Sequence, residues 1–260
     1  MIERLQEIWN YRDMIGGLVK RELRGRYKGS MAGFLWNYIN PLSQILVYIL
    51  VFGVIFPSSL ERFYVYLIVG LMPWNMFSST IIQSSGCILA QSDMVKKIYF
   101  PREVLVIAVT TSQMVNFLIS YLIAFIVILV TGAGVKFQLL ILYLPLIMII
   151  EYVLTLGLSL ILAAVDVYFR DMEYITGVIT MIWIWLTPIM YSLDNVSPKL
   201  SAILGLNPMT HVIRTYQNIL YYKVAPTFKS IAILAIFSLI ILVIGECIFM
   251  RLEKHFAEEL

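Results

Sequence analysis

Five cations fall within nine residues of one stretch, Lys20, Arg21, Arg24, Arg26 and Lys28, and no further charge follows until Glu61. Guanidinium and ammonium groups packed this densely have two uses. They anchor a chain to anionic lipid, each contributing about 1 kcal/mol near the surface, or they meet an anionic ligand through charge-assisted hydrogen bonds. A second set of candidates follows in the apolar run beyond them. Asn37, Asn40, Gln44, Tyr48 and Phe52 are spaced three or four apart, which puts them on one face of a helix. In a later run Trp183, Thr187 and Tyr191 repeat every four residues. Polar groups facing lipid are costly, so both stripes should face protein or a cavity. There, aromatic rings offer flat, amphipathic contact to a sugar. Ordinary helix–helix packing is the competing use.

Other chemistry is missing. The chain has no G-x-x-x-x-G-K-[ST] phosphate loop, no H-E-x-x-H and no G-x-S-x-G, so ATP binding by a phosphate loop, zinc hydrolysis and serine hydrolysis have no sequence support. His211 and His255 are isolated and read as structural or surface residues. Asp166, Asp171 and Glu173 come nearest to an acidic metal cluster, but Arg170 lies among them; salt bridging at a helix end is the expected role. Glu151 sits near the centre of an apolar run. A charge at mid-bilayer costs about 3 kcal/mol or more, so it should hydrogen-bond polar atoms of another span. Cys87 and Cys247 show no ligand spacing and read as small apolar residues without a disulfide.

The elements that must position these residues follow from composition. Of the 260 residues 60% are hydrophobic and 13% charged, whereas soluble domains run near half and a quarter. The class is therefore an integral membrane protein, and the net charge of +3 is too mild to suggest a nucleic-acid partner. Runs 31–56, 63–83, 104–131, 137–165, 174–193 and 230–250 each reach the ~20 residues that a helix needs to cross a bilayer. They are continuous, not alternating, which excludes barrel strands. An all-α integral membrane protein of six transmembrane helices in a single domain is expected, with no internal repeat and no cleavable signal peptide. With both termini in the cytoplasm, 13 Lys/Arg lie inside and six outside, so the positive-inside rule selects that orientation.

Three segments lie outside the spans. Residues 1–30 combine an amphipathic helix, with Trp9 at the interface, and the basic elbow, where Gly25, Gly29 and Gly33 let the chain turn into the first span. Residues 84–103 form a cytoplasmic loop whose Ile88, Leu89, Met94, Val95 and Ile98 sit among Asp93, Lys96 and Lys97; a short amphipathic helix able to dock in a partner's groove is expected. In residues 194–229 Asn207 reads as an N-cap with Pro208 at the first helical position. Neither half of this segment is long enough to span, so half-buried helices dipping into the outer leaflet are expected.

Five pieces in order, "RELRGRYKGSMAGFLWNYINPL", "KKIYFPREVL", "VYFRDMEYI", "LTPIMY" and "LNPMTHVIR", carry a resemblance over nearly the whole chain. It resembles the permease subunit of bacterial ABC exporters that move lipid-linked polysaccharides, of the O-antigen and teichoic-acid export type. The resemblance implies an interfacial N-terminal helix, a coupling helix between the second and third spans, and re-entrant gate helices before the sixth. It also implies a homodimer in the bacterial cytoplasmic (inner) membrane with two copies of a separate ABC ATPase. ATP and Mg would bind there, leaving no cofactor in this chain. On this view Asn40, Gln44, Tyr48, Phe52, Trp183, Thr187 and Tyr191 line the path, and Arg24, Arg26 and Lys28 meet membrane lipid and a lipid-linked pyrophosphate. Asp93, Lys96, Lys97, Arg102 and Glu103 couple to the ATPase, and Asn207, Pro208 and Arg214 belong to the gate. The competing readings are an ABC exporter of drugs or small lipids, a membrane glycosyl- or prenyl-transferase, and a proton-coupled carrier using Glu151.

Overall fold

In the computed structural model residues 2–25, 33–55, 60–130 and 136–259 are described, and among them the regular structure is all helical. The chain runs through α1 (Ile2–Asn10), α2 (Arg12–Gly25), α3 (Gly33–Leu50, continued by a π turn over Val51–Ile55) and α4 (Phe63–Ser85). It continues through α5 (Ser92–Lys97), α6 (Glu103–Val130), α7 (Phe137–Asp166) and α8 (Met172–Trp183, continued by a 3-10 turn over Ile184–Leu186). The last part holds α9 (Pro198–Leu204), α10 (Pro208–Gln217, continued by a π turn over Asn218–Tyr222), α11 (Phe228–Leu252) and α12 (Phe256–Glu259).

The spine is α4. Its apolar residues gather on no single face and most of the helix is buried, the pattern of a helix enclosed by others. Leu67, Leu71 and Phe77 have no exposed surface, and α3, α6, α7, α8 and α10 all pack against it. Pro73 lies inside it, a placement that neighbouring helices make tolerable in membranes.

The tightest contact joins α7 and α11. A β-carbon on Gly157 would come within 2.7 Å of the Leu242 backbone, and one on Gly245 would collide with the Gly157 carbonyl oxygen. Small residues that let two backbones touch are how helices associate in lipid, where apolar burial supplies little drive.

Among the described residues four helical stretches are long and apolar enough to cross a membrane: Phe63–Ser85, Glu103–Val130, Leu142–Asp166 and Phe228–His255. The runs at 31–56 and 174–193 yield less. The polar residues Asn37, Asn40 and Gln44 dilute α3, and α8 with its 3-10 turn covers only Met172–Leu186. The break that shortens the fifth run has a local cause. Pro188 disfavours helical backbone in the residue before it, and Thr187 is extended, with φ −119° and ψ 132°. A single helix over 174–193 is therefore not formed.

At the N-terminus the apolar stripe meets protein. Leu18 is buried, and Met14, Ile15 and Val19 pack on a cluster that includes Val104, Leu105 and Ala108 of α6. The part of the stripe on α2 is thus partly covered by the chain itself, while Trp9 on α1 stays 68% exposed. Just before α8 the Asp166 side chain is buried, and its Oδ1 meets no hydrogen-bond donor among the described residues. Arg170 donates to the Glu259 carbonyl (3.4 Å) and forms no ion pair with Asp166, Asp171 or Glu173. The expected salt bridge is not formed among the described residues.

Candidate functional site

The two candidate stripes come together through α4, which touches both. On α3 the Gln44 amide donates to the Tyr48 hydroxyl (3.3 Å), and Asn75 of α4 donates to the Gln44 carbonyl oxygen (3.4 Å). Phe52 lies 6.1 Å from Phe63 of α4, ring centre to ring centre. From the other side Trp183 sets its edge against Phe77 (5.2 Å) and Trp74 (6.3 Å). Tyr48, Phe52, Trp183 and Tyr191 are each half-buried, so each keeps part of its surface outward. Asn40 lies on α3.

Thr187 and Tyr191 mark the broken end of α8. Thr187 is buried; its hydroxyl accepts from the Asn207 amide (2.9 Å) and donates to the Trp183 carbonyl (3.0 Å). The carbonyls that the break exposes are satisfied by side chains: Gln217 donates to Pro188 (2.8 Å) and Tyr66 donates to Tyr191 (2.9 Å). A broken helix end at membrane depth needs such protein partners, since lipid provides none.

Asn207 caps α10 as its sequence context requires. Its side-chain oxygen accepts the Met209 N–H (3.0 Å), and Pro208 follows at the first helical position. Val212, Ile213, Ile219 and Leu220 are buried while Arg214 points outward. The 7 and 10 residues of α9 and α10 extend about 10 and 15 Å at 1.5 Å per residue, well short of a crossing. Beneath α10, Tyr216 donates to Glu151 (2.6 Å) in the core. The expected partner of Glu151 is present, contributed by this short helix instead of another span.

The loop at 84–103 forms the short helix foreseen for it. In α5 Val95 is buried, Met94 packs beside it, and Asp93, Lys96 and Lys97 are exposed. Ile98 and Tyr99, 57% and 80% exposed, extend this outer surface. Arg102 and Glu103 are placed differently, turned into an internal ionic cluster. Arg4 reaches Glu103 (2.7 Å), Glu253 (2.6 Å) and Glu7 (2.9 Å), and Arg102 donates to the Glu253 carbonyl (3.0 Å). Glu103 has no exposed surface. A second polar line runs from Glu22 to Gln83 (3.0 Å) and on to Gln113 (2.7 Å), joining α2, α4 and α6. Arg24 is exposed at the end of α2; Arg26 and Lys28 lie outside the described residues.

Sequence reasoning missed Tyr66, Trp74, Asn75, Phe77 and Gln217. The signal for Asn75 was a lone amide in an apolar run, the same signal that singled out Gln44. The aromatics on α4 had none, because a helix buried on every side has no distinct face. Cys87 is buried and Cys247 exposed, both as free thiols.

Among the described residues no group of acidic, His and Cys side chains is arranged to hold a metal ion. What the fold and these residues define is a multi-pass helical membrane protein with an amide and aromatic seam, of the transport class. The chain belongs to the ABC-2 type transporter family, whose model matches residues 15–221. Over its full length it is 32% identical to the O-antigen export system permease protein RfbA of Myxococcus xanthus, covering 100% of both chains. It is 30% identical to the RfbA protein of Klebsiella pneumoniae, over 95% of this chain and 94% of that one. It is 24% identical to the polysialic acid transport protein KpsM of Escherichia coli, over 92% and 93% respectively.

Proposed function

We propose that the chain is the permease subunit of an ATP-driven exporter that carries a polyprenyl-pyrophosphate-linked polysaccharide across the bacterial inner membrane. The observation that carries this reading is end-to-end similarity to permeases named for O-antigen export and polysialic acid transport. The α3–α4–α8 seam supports it, since half-buried rings and amides suit a hydrated glycan better than a drug or an acyl chain.

In this proposal six segments cross the membrane, α3 and α8 among them, and both termini are cytoplasmic. Two copies enclose the path with Asn40, Gln44, Tyr48, Phe52, Trp183, Thr187 and Tyr191 along it. Two ATPase subunits bind ATP and Mg and dock on α5 through Asp93, Lys96 and Lys97. Their closure displaces α5 and α1–α2 together. The Arg4 cluster carries that motion to the start of α6 and the end of α11, the role left to Arg102 and Glu103. Gate segment 194–229, with Asn207, Pro208 and Arg214, then parts from α8. The cations Arg24, Arg26 and Lys28 hold the pyrophosphate at headgroup height.

In a bacterium lacking this chain, undecaprenyl-linked glycan should accumulate on the cytoplasmic face. Supplying the chain with its ATPase should restore surface polysaccharide. Restoration by the chain with a hydrolysis-dead ATPase, or no restoration at all, overturns the proposal.

A further inference from the structure

A cavity of about 360 Å3 opens where the α3–α4 connection meets the end of α10, lined by Glu61, Arg62, Tyr221, Tyr222 and Lys223 among others. Its size falls at the small end of ligand-holding clefts, about 300–1,000 Å3. Positive-inside charge counting places this mouth on the outer face of the membrane.

The backbone around it is unusual. Arg62 (φ 52°) and Lys223 (φ 57°) adopt left-handed backbone and are the non-glycine residues with positive φ among the described ones. Both line this cavity. Such conformations are costly for residues with a β-carbon, persist only where the surroundings impose them, and gather at ligand clamps. Beside Lys223 the chain makes the π turn Asn218–Tyr222, another feature frequent at functional sites. One acceptor closes it: the Asn218 carbonyl receives the N–H groups of both Lys223 and Val224 (2.8 Å for the latter).

The side chains combine three kinds of group. A guanidinium and an ammonium supply positive charge. The Tyr221 and Tyr222 rings meet edge to face at 4.9 Å, and the Tyr221 hydroxyl donates to the Glu61 carbonyl. Glu61 itself brings one carboxylate, a good acceptor for hydroxyl groups. Aromatic rings beside a planar carboxylate suit the C–H faces and hydroxyls of a pyranose, and the two cations add affinity for an acidic substituent. A phospholipid headgroup would use the cations and leave the tyrosines without a role.

From this convergence we infer that the cavity binds a saccharide bearing a carboxylate or phosphate, as an outer-face site for acidic glycan; the glycan part rests on the export reading above. The site is mechanically connected. Tyr66 lies 5.2 Å from Tyr221, edge to face, and its hydroxyl holds the Tyr191 carbonyl at the broken end of α8. An occupant therefore presses, through two rings, on the segment that carries the path residues.

The test uses the purified full chain in phosphatidylcholine nanodiscs, titrated calorimetrically with an oligoglucuronate tetrasaccharide and with neutral maltotetraose. Asn tolerates left-handed backbone, so Arg62→Asn and Lys223→Asn remove charge without forcing the turns. Expected are a millimolar or tighter Kd for the acidic sugar and at least about tenfold weaker binding of the neutral one. Each Asn variant should lose about tenfold for the acidic sugar alone. Tyr222→Ala should weaken both sugars, and Arg62→Lys should retain most acidic-sugar affinity. Equal binding of the two sugars, no binding, or Asn variants that behave as wild type overturn the site. So does complete displacement of the sugar when phosphatidylglycerol is added, which would assign the cavity to lipid. Export measured in cells reports separately on the function, so a permease that exports while binding neither sugar fails this inference alone.

Discussion

The Tyr216 hydroxyl donates to the Glu151 carboxylate across 2.6 Å, tying the short helix α10 to the middle of α7. Both side chains are fully enclosed. A carboxyl group at this depth needs such a partner, so one bond serves two purposes: it gives Glu151 Oε2 a donor and it fixes α10. Removing the hydroxyl with Tyr216→Phe leaves a buried acceptor unmet, at a cost of about 1–3 kcal/mol. Thermal unfolding in detergent should show a clearly lowered midpoint for Tyr216→Phe and a smaller drop for Glu151→Gln, whose amide oxygen can still accept. Export that stays ATP-dependent and indifferent to a proton gradient in Glu151→Gln excludes a proton-carrying role for Glu151.

Arg4 faces three carboxylates, those of Glu7, Glu103 and Glu253. Arg4→Met abolishes the cation and strands the buried Glu103, which should cost about 3–5 kcal/mol. Adding Glu103→Gln to that variant removes the stranded charge and should recover much of the loss. Limited proteolysis between α2 and α3, together with denaturant midpoints, distinguishes these outcomes. A single variant as stable as wild type would show that the cluster does not bind the N-terminal helices.

Gly157 and Gly245 should each resist enlargement. Gly157→Ala or Gly245→Ala forces α7 and α11 apart and should destabilise by about 1–3 kcal/mol. Gly16→Ala in α2, where an added methyl meets nothing within 4 Å, should instead be neutral or stabilising by about 0.5–1 kcal/mol. Detergent-solubilised thermal midpoints of the three variants are the measurement.

Trp183→Phe retains the contacts with Trp74 and Phe77 while removing the outward indole edge. If Trp183 lines the path, this variant should assemble normally and export several-fold less glycan; Tyr48→Leu should do the same. Unchanged surface polysaccharide in both would remove the seam from the path.

Local chemistry was legible in the sequence where one short stretch decides it. Asn207 and Pro208 cap a helix because an acceptor side chain and a ring without an N–H suffice. The short helix at Ser92–Lys97 was likewise readable from its alternation of apolar and charged residues. The fifth run shows where reasoning by composition overrode a local signal. Pro188 announced a break that the count of apolar residues concealed. Long-range partners gave no sign at all: Arg4 and Glu253 stand 249 positions apart. Glu103 therefore read as one more exposed charge at a loop end. The role of α4 was invisible for the opposite reason, since a helix enclosed on all sides offers no periodicity to interpret.

The backbone contact at Gly157 and Gly245 fixes which parts of the molecule can change place. With carbonyl and α-carbon in touch, α7 and α11 can neither slide nor roll against each other without collision. They form a trunk, tied beyond the end of α11 by the ionic cluster around Arg4. In contrast, α3 packs on the rest chiefly through α4, where Asn75 meets Gln44 and Phe63 meets Phe52. If a cargo passes along the seam, the movement it requires falls to α3 and to the jointed end of α8, limbs hinged on that stem.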